Sequence, residues 1–295
     1  MQRKDFLGHV AWTGAGIAYA MSAGGLMTGT ALARGVTGSI DFVQISDSHI
    51  GFHQEANPDV SATLQSAVNA INALPDQPKF VIHTGDVTHL SKPEQFGTAK
   101  DILAQLRAPL IVLPGEHDFI GQDYNSFFQA FPTPKGGKQW FSWDQNGTHF
   151  VALINVFDFE KMGLLGNDQL TWLKRDLAAQ PSSMPIVVFT HAPLYALFPS
   201  WGWTTEDGTK AIAMLQRFDN VTVLSGHIHQ VVTHQEGNIR FATADATAYP
   251  QPAPGTADKP GPLTLPHDQL LRAIGYRSVL LEKGHAAAID DRRFA

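Results

Sequence analysis

The chain has 295 residues, is 43% hydrophobic and 16% charged, and carries a formal net charge of −6 with no basic run. That length and balance suit one compact domain with a large core, and the charge argues against nucleic-acid binding by phosphate neutralisation. There is no cysteine, which excludes disulfides, zinc–thiolate sites and thiol nucleophiles, while 13 histidines leave imidazole–carboxylate chemistry open.

The N-terminus reads as an export signal. "MQRKDF" supplies positive charge, residues 6–33 carry no Asp, Glu, Lys or Arg, and Ala31–Ala33 fits a small-x-small cleavage site. "RKDFL" is twin-arginine-like, with Lys4 in place of the second arginine. The expectation is a signal over 1–33, a single domain over 34–295, and a periplasmic or secreted protein. An uncleaved membrane anchor is the alternative, because the uncharged run is long enough to span.

Strands and helices then alternate. "SIDFVQIS" (39–46), "KFVIHTGD" (79–86) and "PLIVLP" (109–114) read as strands. Between them, 60–74 and 93–108 have apolar residues at helical spacing. Residues 138–156 read as two strands joined at "QNG", a hairpin signal. A helix over 167–180 capped by Asn167, a strand over 184–191 and a helix over 209–218 follow. Residues 221–244 look like short strands turning at "EGN", 249–266 is a Pro/Gly-rich loop, and 277–284 is the last strand. The pattern predicts an α/β fold, two β-sheets flanked by helices.

Five predicted strands end in the same kind of residue. They run into Asp47-Ser48-His49, Asp86, Glu116-His117-Asp118, His191 and His227-Ile228-His229. In parallel α/β sheets, C-terminal strand ends converge on one crevice. Asp and His together suit Zn, Mn or Fe ions. On extended segments, Asp47/His49 and His227/His229 would each present two side chains to one face. Asp86, with two carboxylate oxygens, could bridge two ions.

The series "DSH", "GDVTH", "GEHD", "TH" and "GHIH" resembles the calcineurin-like metallophosphoesterases, nearest their bacterial cyclic-nucleotide phosphodiesterase branch. The resemblance spans roughly residues 40–235 and implies a two-sheet sandwich with outer helices. It also implies two divalent metal ions. Asp47, His49 and His229 would hold the first, Asp86 would bridge both, and His191 and His227 would hold the second. An Asn is usual on the second metal, and Glu116 stands in its place. His117 would lie near the substrate and off the metals.

The function expected from these residues is hydrolysis of a small phosphate ester, most plausibly a diester, by a hydroxide shared between two metals. His117 would protonate the leaving oxygen. Asp118 would either orient His117 or support its loop. Glu116 adds charge and offers no donor, so a metal-binding protein of this fold with damped activity is the second reading. Glu116 turned away from the site is a further possibility. Trp201 and Trp203 are expected as an aromatic wall for substrate, and His89 beside the Asp86 motif. His83 is expected as a core histidine, His53 as a loop residue, and His149 and His234 as surface strand residues.

Overall fold

The computed structural model describes residues 11–13, 39–120, 124–133, 139–156, 163–282 and 285–295. The expected export segment therefore lies outside the described residues, apart from Ala11–Thr13, a short strand (β1). Among the described residues, no helix is long and apolar enough to cross a membrane.

Ile40–Ile45 (β2), Val81–Thr84 (β3) and Leu110–Leu113 (β4) lie parallel, with helices over Val60–Asn72 (α1) and Pro93–Leu103 (α2) as crossovers. Asp59 starts α1 by accepting a hydrogen bond from the Ala62 amide, and Pro93 opens α2, where its missing N–H costs nothing. A short helix over Tyr124–Ala130 (α3) follows. Phe141–Gln145 (β5) and Thr148–Ala152 (β6) form the expected hairpin. Asn146 and Gly147 both have positive φ (47° and 76°), the conformation that two-residue hairpins favour.

A helix over Asn167–Ala178 (α4) leads to Ile186–Phe189 (β7), and one over Gly208–Leu215 (α5) leads to Val221–Ser225 (β8). Asn167 is the first helical residue and Gly166 the capping position, which corrects the expected cap by one residue. Val231–Glu236 (β9) and Ile239–Thr243 (β10) turn at Gly237. A short helix over His267–Leu271 (α6) precedes Gly275–Leu281 (β11). The chain does not close there: Ala288–Arg293 (β12) adds an edge strand to β11.

The strands form two mixed sheets, ordered β1-β9-β10-β8-β7-β6-β5 and β12-β11-β2-β3-β4. Phe42 and Phe80 from one sheet meet Phe150 and Phe189 from the other, with ring centroids 5.5 to 6.4 Å apart. Each fully buried side chain of this kind contributes about 1.5–3 kcal/mol. Helices α1, α2 and α3 cover the outer face of the five-stranded sheet through Leu64, Val68, Phe96 and Phe127. Helices α4 and α5 cover the other sheet through Leu173, Leu177, Ile212 and Leu215. This is the helix–sheet–sheet–helix arrangement the sequence predicts.

Between the sheets, the interior turns polar toward one end. Gln44 donates to Thr84 Oγ1 at 3.0 Å and to the Ser225 carbonyl at 3.2 Å. Arg277, fully buried, donates to Asp291 and to the Thr243 carbonyl, both at 2.7 Å. A charge held this deeply needs such partners. Immediately above this layer lie the ends of β2, β3, β4, β7 and β8.

Candidate metal centre

The five strand ends do meet, but from two sheets: β2, β3 and β4 on one side, β7 and β8 on the other. Main-chain bonds lace them together. The amides of Asp47 and His49 donate to the carbonyls of Gly85 and Asp86, each at 2.9 Å, and Gly226 donates to the His191 carbonyl at 3.0 Å. Two glycines permit the close approach. A Cβ at Gly115 would collide with the Asp86 carboxylate, and one at Gly226 with Ser46 and Asp47.

The ligand-bearing segments are not extended, as their spacing suggests. Asp47, His49, Asp86, His227 and His229 all have positive φ, between 43° and 70°. Non-glycine residues rarely adopt this region, and such strain, about 1–3 kcal/mol per residue, concentrates at functional sites. The left-handed turns at alternate residues bring both side chains of each pair inward.

The geometry assembles three overlapping groups of buried ligand atoms: Asp47, His49 and His229; Asp47, Asp86 and His191; and Glu116, His191 and His227. His229 Nε2 lies 3.5 Å from Asp47 Oδ1 and 3.2 Å from His49 Nε2. His49 Nε2 and His191 Nε2 each lie 3.5 Å from Asp86 Oδ2, so Asp86 sits between the two halves of the site.

Glu116 turns inward. Its oxygens approach His191 Nε2 at 2.8 Å and His227 Nδ1 at 2.9 Å. Yet Glu116 Oε2, His191 Nε2 and both nitrogens of His227 are buried without an aligned hydrogen bond. Buried polar atoms left this way are costly, and here they face one another around a common point. Such a donor set fits a cation, and the overlapping groups fit two.

Neighbouring groups set the tautomers. His191 Nδ1 and His229 Nδ1 donate to the carbonyls of Thr84 (2.7 Å) and Tyr249 (2.6 Å), leaving each Nε2 lone pair for a metal. The charges follow the same logic. Burial alone would raise Glu116, but the imidazoles of His227 and His191 hold it well below its ordinary value. Burial alone would lower His191, but Asp86 and Glu116 raise it well above 6.5. Asp47 is lowered because His229 and His191 outweigh its burial. His49 is pushed well down by burial and by the imidazoles around it.

His117 lies at the pocket face, outside the three fully buried groups, although its ring comes within ligand reach of Asp86 and Glu116 and of His49 and His89. Its amide donates to Asp86 Oδ1 at 2.9 Å and its Nδ1 to the His89 carbonyl at 2.8 Å. Burial opposes its protonation, but Asp86 and Glu116 overcome this and raise it. Asp118 does not orient His117. Its carboxylate accepts from the amides of Gly115, Val87 and Thr88 and from the Thr88 hydroxyl, at 2.8 to 3.0 Å. It therefore supports the loop, the second of the two roles expected of it. Burial and the nearby Asp86 raise its pKa to about 7.

A pocket of about 310 Å³ opens over the ligands and is lined by His89, Glu116, His117, Trp201 and Trp203, among others. The expected aromatic wall thus reaches the site, although Trp203 is 1% exposed and belongs mainly to the packed core. Burial and His117 lower His89 to about 4. His83 is the core histidine anticipated: it bonds Ser48 Oγ at 3.0 Å, accepts from the Gly85 amide at 3.2 Å, and is lowered by burial to about 3. His53 is exposed on its loop.

Two expectations fail. His149 is buried, pinned between Asp144 (2.6 Å) and Asp176 of α4 (2.8 Å). His234 is half-buried and stacks on Tyr195, centroids 4.8 Å apart. Both strand faces are covered by packing that their own segments do not reveal. Sequence reasoning also missed Tyr249 and Gln251. Tyr249 stacks on His49 at 5.1 Å, and Gln251 donates to the His227 carbonyl at 3.1 Å. The one available signal was their place at the head of the proline-rich loop.

Comparison with known proteins agrees with this geometry. Residues 40–231 match the profile of the family described as calcineurin-like phosphoesterase. A glycerophosphodiester phosphodiesterase of Enterobacter lignolyticus is 27% identical over 201 residues, 66% of this chain and 71% of that protein. A 3′,5′-cyclic adenosine monophosphate phosphodiesterase of Escherichia coli K12 is 27% identical over 203 residues, 65% of this chain and 70% of that protein. Among solved structures, a dimetal phosphatase from Danio rerio superposes with a TM-score of 0.66 at 12% identity, covering 87% of this chain and 96% of that one.

Proposed function

The chain belongs to the calcineurin-like phosphoesterase family, and from that premise we propose that this metal-dependent phosphoester hydrolase is a phosphodiesterase working with two divalent ions. The carrying observation is the set of overlapping buried ligand groups joined through Asp86. Asp47, His49 and His229 would hold one ion, His191, His227 and Glu116 the other, with Asp86 between them. Mn, Fe and Zn all suit imidazole with carboxylate. When bound, such ions supply Lewis acidity and a hydroxide nucleophile near neutral pH.

The chain's own residues do the rest. Asp86 fixes the His117 main chain, and the His89 carbonyl fixes its ring, leaving Nε2 to face the pocket. A protonated His117 gives its Nε2 proton to the departing oxygen. Trp201 and Trp203 narrow the pocket and exclude water from one side.

Glu116 bears on substrate choice. Asp47, Asp86 and Glu116 place three buried carboxylates at the site. A monoanionic diester meets less repulsion there than a dianionic monoester. The Enterobacter and Escherichia relatives are named as phosphodiesterases, in keeping with this preference. The sequence of residues 1–33 supports action outside the cytoplasm, which fractionation of cells expressing the full chain would test.

The deciding assay loads the purified protein with Mn²⁺, Zn²⁺ or Fe²⁺ and follows bis(p-nitrophenyl) phosphate. Turnover with at least one metal, and its loss in His117→Ala on alkyl esters, is expected. No turnover with any metal would leave the second reading, a metal-binding protein damped by Glu116, whose inward carboxylate favours it.

A further inference from the structure

Behind the metal pocket lies a larger cavity of about 790 Å³. Both are bounded by His229, Gln251 and the Pro260–Pro262 stretch, so one loop divides two adjoining spaces. A phosphate group and a small substituent fit the metal pocket, and the second space exceeds what either needs. Its size is that of a site for a ligand with several rings or branches.

The cavity has its own chemistry. Ala253, Leu263, Leu265 and Ala273 supply apolar walls. Gln230 lines it and is 3% exposed. Its Nε2 donates to the carbonyls of Gln251 and Pro252, both at 2.8 Å, and so holds the dividing loop. Its Oε1 is buried with no hydrogen-bond partner. Gln251, which faces both spaces, likewise leaves a buried Oε1 without a partner. Asp245 adds a carboxylate, 7% exposed and held by Arg293 at 3.0 Å. Thr256, Lys259 and Arg293 line it as well, so an acceptor and several donors face the cavity from apolar walls, a set that suits a ligand whose hydroxyl groups both donate and accept. A site whose polar groups hydrogen-bond substrate hydroxyls also discriminates against analogues lacking them.

We propose that this cavity is a subsite for one alcohol arm of the phosphodiester, a bulky arm carrying several hydroxyls, received by Asp245, Thr256 and Lys259. The inference rests on the phosphodiesterase reading and adds to it the class of the second ester arm. The arm enters past His229 and beneath the 250–263 loop, while the phosphate stays over the ligands.

The test uses three p-nitrophenyl phosphodiesters that release the same phenolate, with metal-loaded full-length protein. Their second alcohols are methanol, cyclohexylmethanol and the primary hydroxyl of glucose. The hexose ester is expected to exceed the cyclohexylmethyl ester by about tenfold in kcat/KM, the worth of one good hydrogen bond to a charged group. Ala253→Trp, which fills the cavity from a half-buried loop position, is expected to bring the hexose-to-methyl ratio close to one. Its thermal midpoint confirms folding. Equal rates for the three esters in the parent overturn the subsite, as does a hexose preference that survives Ala253→Trp. Absence of turnover with all three esters and every metal instead refutes the phosphodiesterase reading, and the subsite with it.

Discussion

His117 donates its Nδ1–H to the His89 carbonyl at 2.8 Å, and the two imidazoles stack with centroids 5.0 Å apart. The ring is thereby fixed as the tautomer whose Nε2 faces the pocket. His117→Ala should therefore lower kcat for an alkyl phosphodiester by about 10²–10⁴-fold, the usual worth of a positioned acid. A p-nitrophenyl ester, whose leaving group needs no proton, should lose far less. Metal content by elemental analysis should stay unchanged, because His117 stands off the main ligand groups. Equal losses on both esters would assign His117 to substrate binding.

Glu116 contributes a full negative charge between His191 and His227. In Glu116→Asn, the ratio of kcat/KM for p-nitrophenyl phosphate over bis(p-nitrophenyl) phosphate should rise about tenfold, since one buried like charge is removed. Resistance to a chelator should fall in the same variant. An unchanged ratio would show that Glu116 does not set the preference between mono- and diesters.

Asp118 satisfies three buried amides and one hydroxyl. Asp118→Ala strands them, and urea unfolding should show a loss of about 3 kcal/mol. Asp118→Asn should lose less, because one acceptor oxygen remains. Activity should fall in both, because the Gly115–Phe119 loop carries Glu116 and His117. A stability loss below about 0.5 kcal/mol in Asp118→Ala would remove the supporting role assigned to it.

His149 offers a pH test remote from the metal centre. Burial alone lowers its pKa, but the hydrogen bonds to Asp176 and Asp144 outweigh this and raise it above 6.5. A histidine raised on folding stabilises fully below its unfolded pKa and loses that contribution as pH climbs through the raised value. The parent should thus exceed His149→Gln in thermal midpoint by about 2–4 °C at pH 5.5, with the gap closing above pH 6.5. A gap that widens with pH would reverse the assigned sign.

Metal removal tests the buried ligand set. Chelation should lower the thermal midpoint, because ions that bind only the folded site stabilise it by mass action. Asp47→Asn should abolish most of that shift. A midpoint indifferent to Mn²⁺, Zn²⁺ and Fe²⁺ would mean that no ion occupies these groups.

The site was legible because its residues stand at the ends of apolar runs whose parallel direction follows from strand–helix alternation. The Asp47, Asp86, Glu116, His191 and His227–His229 motifs needed only that placement. Their left-handed backbone was not legible, because residue type and spacing do not encode φ, and Asp and His otherwise suggest extended or helical segments. His149 was misread because its partner Asp176 lies on a helix 27 residues away. Strand β12, "AIDDRR", was missed because an exposed edge strand carries charges instead of an apolar alternation. Helix α3 was missed because seven residues give too little periodicity.

Every buried ligand group takes members from both sheets: Asp47 and His49 with His229, Asp47 and Asp86 with His191, Glu116 with His191 and His227. The centre is therefore also a clasp. At the other end of the sandwich apolar packing is joined by a few side-chain bonds to main chain, such as Asn220 and Arg240 to the carbonyls of His285 and Ala287, but here bound ions would rivet one sheet to the other. Catalytic geometry and the mutual alignment of the sheets become one variable, so a substitution at the inter-sheet Phe stack, which touches no metal, would be read at the metals as a change in their spacing.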